Sequence, residues 1–125
     1  MEATYIFPTD VVQTLLTVMP LHDFQQLYYE ETHREKLHQL TFAQRYQLKY
    51  GTVFPDVETT FETEEDQYLF CAYHFHGEIG LNSHLFVDTS DCMLQAIKLE
   101  DIFLFRYFKE RCGGLRLHRH LRYAL

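Results

Sequence analysis

Tyr68-Leu69-Phe70-Cys71-Ala72-Tyr73-His74-Phe75-His76 is the stretch on which the fold turns. It is followed by Gly77-Glu78-Ile79-Gly80. The stretch is aromatic and is read as alternating, the mark of a half-buried strand. The Gly-rich tetrapeptide after it supplies a turn, and Leu81 to Val87 then reads as a second strand. Asp88-Thr89-Ser90-Asp91 is a further turn cluster. Residues 92–99 suit either class, because Met93, Gln95, Ile97 and Leu99 alternate while Met93, Leu94 and Ile97 also fit a helix. The even spacing of the turns favours a strand. Upstream, residues 52–63 are rich in Val, Phe and Thr, with Pro55 marking an edge or a bulge. Glu62-Thr63-Glu64-Glu65-Asp66 reads as a polar turn. Residues 52–99 are therefore expected to form an antiparallel meander of three or four strands.

Outward from this region the pattern is helical. Residues 3–7 suit a short strand ended by Pro8. Val11, Val12, Leu15, Leu16 and Met19 recur at helical spacing over about 10–19, and Pro20 ends that helix. A second helix is expected from near Asp23, with Phe24, Leu27 and Tyr28 inward and Glu30 and Glu31 outward. Thr32-His33-Arg34-Glu35 and Thr41-Phe42-Ala43-Gln44 both have the form of a capping box. Gly51 stands where the last of these helices should stop. Residues 100–112 predict a helix opened by Glu100 and Asp101 and stopped by Gly113-Gly114. Ile102, Phe103, Leu104, Phe105, Tyr107 and Phe108 make it apolar almost all round, so it should be largely buried. The expected fold is α+β in one domain, 1–125. Its parts are mainly helical (1–51), mainly antiparallel β (52–99), and a buried helix with a basic tail (100–125).

A chain of 125 residues is the size of one ordinary domain and needs no disulfide or metal to fold. Eleven Phe and nine Tyr with no Trp point to a core filled by large rings. No stretch approaches the roughly 20 apolar residues that span a bilayer. The start Met1-Glu2-Ala3-Thr4 has no basic segment of the signal-peptide kind. Cys71, Cys92 and Cys112 are odd in number and widely spaced, as suits free thiols in a reducing compartment. A cytoplasmic location with no membrane contact is expected.

Charge is unevenly placed. Residues 1–105 carry 17 Asp and Glu against 5 Lys and Arg, whereas residues 106–125 carry 6 Lys and Arg against one Glu. The acidic body is unsuited to gripping nucleic acid, whose phosphates demand neutralisation. The tail contains Arg116, Arg119 and Arg122 three apart, with Leu117, Leu121 and Leu125 four apart. That pattern fits docking on the protein's own acidic face, contact with RNA or a membrane surface, or an oligomer contact.

Three groups of residues are candidates for function. The first is acidic: Asp56, Glu58, Glu62, Glu64, Glu65 and Asp66, with Glu30 and Glu31 on a helix surface and Tyr68 beside them. Such a face attracts a basic partner and steers its approach. The second is histidine-rich. On a strand, His74 and His76 share one face, and His84 on the next strand could join them as a metal site or an acid–base centre. The simpler reading places these imidazoles on a solvated face, and no cofactor is expected. The third is the basic tail. No phosphate loop, nucleophile elbow or paired Cys motif is present. The leading expectation is a small acidic binding protein, more plausibly not an enzyme. It would neutralise or regulate a basic macromolecule, a toxin or a nucleic-acid-binding protein, in the manner of immunity proteins, antitoxins and nucleic-acid mimics. The alternatives are a His-dependent metalloprotein or hydrolase, and a nucleic-acid-binding module built on the tail.

Overall fold

Thr63 decides the structure of the residues after it. Its hydroxyl accepts from the Asp66 amide at 3.1 Å, and the Gln67 amide donates to its carbonyl at 3.2 Å. These two bonds open a helix, because they satisfy amides that the first turn otherwise leaves without partners. Glu64, Glu65 and Asp66 then sit in that first turn, where the positive end of the peptide dipoles favours carboxylates. The stretch expected to be a strand is thus the body of a 13-residue helix, Glu64–His76. Tyr68, Leu69, Cys71 and Ala72 are buried, at the i, i+1, i+3, i+4 spacing of a helix face. Gly77 ends it in the left-handed region (φ +73°), where its amide donates to Tyr73 and that of Glu78 to Ala72.

The computed structural model describes residues 9–30 and 40–111. Among them there is no strand, so the α+β expectation and its meander are overturned by an all-helical architecture. The helices are α1 (Thr9–Val18), α2 (Leu21–Tyr29), α3 (Phe42–Tyr50), α4 (Glu64–His76), α5 (Thr89–Lys98) and α6 (Ile102–Lys109). A single 3-10 turn spans Ser83–Leu85. The segments read as strands each have a local reason to be otherwise. Residues 52–63 form no strand and carry no regular secondary structure. At 81–87, Asn82 takes a left-handed conformation (φ 66°), and the Ser83 hydroxyl accepts from the Gly80 amide at 3.0 Å, closing a turn. At 89–98 the Asp88 carboxylate accepts from the Ser90 amide at 2.7 Å and starts α5. The expected strand at 3–7, the box at Thr32 and everything from 112 onward lie outside the described residues.

The chain's contacts cluster into two units, 1–68 and 69–125, and each is described by itself. In the first unit α1 packs on α3. Its core is aromatic: Phe24 meets Phe42 edge-on at 5.1 Å, and Phe42 and Tyr46 each stand 5.6 Å from Tyr68. The capping box at Thr41 is formed in both directions, and Gly51 ends α3 at φ +77°, as its sequence position implied. The apolar face of α1 is less uniform than its spacing suggests. Leu16 is buried, whereas Val11, Leu15 and Val18 are exposed.

This unit also buries a cation. Arg45 is fully buried and donates from Nε to the Leu16 carbonyl at 3.1 Å. Its Nη2 reaches the carbonyls of Thr17 and Met19 at 3.3 and 2.7 Å, and Nη1 bonds the Tyr68 hydroxyl. The carbonyls at the end of α1 lack intrahelical partners and form the negative end of its dipole, so they can hold a guanidinium out of water.

In the second unit α5 packs on α6. Its core gathers Ile79, Leu81, Cys92, Met93, Ala96, Leu104 and Phe108. Asp101 caps α6 by accepting from the Leu104 amide at 3.0 Å. The helix lies where the sequence placed it, but the expectation that it is largely buried fails. Only Leu104 and Phe108 are buried, and Ile102 is 64% exposed.

Candidate functional site

The acidic group resolves into an outward and an inward part. Thirteen residues, 51–63, run between α3 and α4 without secondary structure. Phe54 fastens this connection, its ring 4.9 Å from Tyr46 and 6.4 Å from Tyr68. Beyond that anchor Asp56, Glu58 and Glu62 are exposed, and Glu64 continues the series at the first residue of α4. Among the described residues none of these four carboxylates forms an ion pair. Long connections without structure of their own are uncommon in compact folds and are frequently functional.

Glu65 is the inward part. Its Oε2 accepts from Gln25 Nε2 at 2.8 Å and from the Tyr29 hydroxyl, which ties α2 to the start of α4. Asp66 is half-buried beside it. Tyr68, expected at the partner surface, is instead fully buried against Arg45 and the core rings. Glu30 is exposed at the end of α2, and Glu31 lies outside the described residues. Four acids of the original set therefore face solvent together on one anchored loop and helix start, while Glu65 and Tyr68 serve the fold.

The histidine group does not survive the change from strand to helix. His74 and His76 occupy the last turn of α4, and residues two apart on a helix point to different sides. His74 stacks on Phe70 at 4.4 Å. His84 sits in the 3-10 turn, half-buried under the rings of Tyr107 and Phe108 at 6.0 and 5.9 Å. Burial, and then the Arg111 charge, lower its pKa from the ordinary value of 6.5. Among the described residues no group of three or more His, Cys, Asp or Glu side chains is placed to hold a metal ion.

The two described cysteines are free and buried. Burial raises the Cys71 thiol, and burial with Asp91 and Asp88 pushes that of Cys92 up to about 12. Thiols in such surroundings stay protonated and inert. The basic residues Arg116, Arg119 and Arg122 lie outside the described residues. No described helix is long and apolar enough to cross a membrane.

Arg45 escaped the sequence reading as a key residue. Its signal was present, since Phe42, Arg45 and Tyr46 fall at i, i+3, i+4 on one face of α3, and all three are buried. No known family model, curated protein or solved structure matches this chain.

Proposed function

We propose that the chain is a binding protein that engages a basic macromolecule through Asp56, Glu58, Glu62 and Glu64. One observation supports this reading. Four carboxylates stand in solvent on an aromatic-anchored connection and form no ion pair among the described residues. Exposed carboxylates of one sign attract a basic partner and orient it as it arrives. A loop tied down at Phe54 loses less freedom on binding than a loose one. The partner fitting this chemistry is a protein with a Lys/Arg-rich surface. Nucleic acid is disfavoured for this face, since phosphate would meet carboxylate.

The test compares the tagged chain with its Asp56→Asn/Glu58→Gln/Glu62→Gln/Glu64→Gln variant as bait in nuclease-treated native lysate. A basic protein recovered in stoichiometric amount by the wild type, released by rising salt and absent from the variant, is the expected result. Recovery of the same proteins by both baits would remove the acidic loop from the function.

A further inference from the structure

An α-helix that is apolar on nearly every side is stable in water only when most of it is covered. Helix α6 is of this kind, yet Ile102 is 64% exposed and Phe103 46%. Both line a shallow groove with Arg106, Tyr107 and Glu110. Arg106 and Lys109 follow Ile102 at the i+4 and i+7 positions, on the same side of the helix, and both are exposed. Arg111, just beyond the helix, lies over the Tyr107 ring with its Cζ 3.6 Å from the centroid. Its Nη1 donates to the Tyr107 carbonyl at 2.7 Å. Of the exposed Lys and Arg among the described residues, Lys49 alone stands outside 98–111. Lys98, Arg106 and Lys109 form no ion pair among the described residues. Three acids share the region: Glu100 and Asp101 just before the helix, and Glu110 in the groove.

We propose that this face of α6 receives the acidic loop of a second copy of the chain, residues 56–64, an assignment that rests on the loop's being a binder of basic surfaces and names the surface. Charge selects this occupant. The loop brings Asp56, Glu58, Glu62 and Glu64, exposed and without an ion pair among the described residues. The end of α6, from 106 to 111, sets Arg106, Lys109 and Arg111 against Glu110 alone, in a chain of net charge −7. The apolar side chains correspond as well. Val57 stands between two acids and Phe61 before a third, while Ile102 and Phe103 lie beside Arg106. Covering them removes apolar area from water on both copies.

Nucleic acid fits this face less well. Glu100, Asp101 and Glu110 interrupt its cations, and a phosphate backbone requires an unbroken basic stripe. A loop with separate carboxylates reaches the cations at one end of the helix and leaves Glu100 and Asp101 uncovered. The −7 carried by each copy opposes approach at long range, so the contact is weak and grows with protein concentration. It joins unlike surfaces, so two copies close reciprocally or several add head to tail.

The experiment uses the full chain and two variants, both altered only at exposed side chains. Asp56→Asn/Glu58→Gln/Glu62→Gln/Glu64→Gln keeps the face and loses the charge of the loop. Arg106→Gln/Lys109→Gln keeps the loop and loses charge on the face. Sedimentation velocity follows the wild type, each variant alone and the two variants mixed, from roughly micromolar to millimolar concentration. The wild type should associate as concentration rises. Each variant alone should associate about tenfold more weakly, and the mixture should pair one to one through the contact that remains. A wild type that stays monomeric would overturn the proposal, as would variants that associate like the wild type or a mixture that does not pair. If the loop still captured another basic protein, the reading of the loop would stand without this partner; loss of that capture as well would remove both. Retention on single-stranded RNA through Arg106 and Lys109, in a chain that stays monomeric, would give the face to nucleic acid instead.

Discussion

Arg45 carries the largest single consequence at the scale of the residue. Its guanidinium is bonded to three carbonyls at the end of α1 and to the Tyr68 hydroxyl, and its Cζ lies 5.1 Å from the Phe24 ring centroid. Arg45→Met keeps the volume but strands those carbonyls, and removing one partner of a buried polar set costs about 3 kcal/mol. Urea unfolding should show the loss, and a change below about 0.5 kcal/mol would mean that water replaces the guanidinium. A smaller effect of opposite sign is expected at Glu100. It takes a left-handed conformation (φ 56°), which costs a side-chain-bearing residue about 1 kcal/mol. Glu100→Gly should raise Tm, whereas Gly51→Ala at φ +77° should lower it. His84 makes stability depend on pH. Its pKa is lowered in the folded chain, so the unfolded chain binds the proton first as pH falls. The stability it contributes is complete above 6.5 and lost as pH drops below that value. Its buried Nδ1 makes no hydrogen bond, so His84→Leu should fold and flatten the urea midpoint against pH in that window.

Among the elements, capping was legible and periodicity was not. Thr41 with Gln44 and Gly51 perform the roles that their positions implied, whereas Asp101, expected within the first turn beside Glu100, is the residue that caps α6. The same chemistry at Thr63 and Asp88 was read as turns, although each begins a helix. Aromatic-rich segments satisfy both periods at once. Tyr68 and Phe70 alternate, but Tyr68, Cys71 and Ala72 also lie three and four apart. The caps are therefore the elements' decisive contributors, and Asp101→Ala should lower stability by about 1 kcal/mol, as should Asp88→Ala. Thermal unfolding followed by far-UV circular dichroism measures both losses. Equal stability of either variant with the wild type would show that the helix start is held by packing alone.

For the whole molecule the net charge of −7 matters most, because it is concentrated away from residues 106–125. Association through the four exposed carboxylates should weaken steeply between low and physiological salt, mainly through the on-rate. The charge-neutralised variant should associate slowly at every salt concentration, which stopped-flow or surface plasmon measurements can follow. The amino-acid sequence by itself determined that helices lie within the described residues 9–29 and 42–50, that a helix lies within 100–112, that Cys71 and Cys92 are free, and the acidity of 56–66. These follow from composition and from bonds made within a few residues. Tertiary structure alone decided the class of 64–98, the withdrawal of Tyr68 and Glu65 from the surface and the separation of His74, His76 and His84. The reason is where each structure keeps its hydrogen bonds. A helix satisfies its backbone within itself, so its local caps announce it, whereas a strand needs a neighbour that local alternation cannot supply. Which side chains are buried depends in turn on what packs against each face.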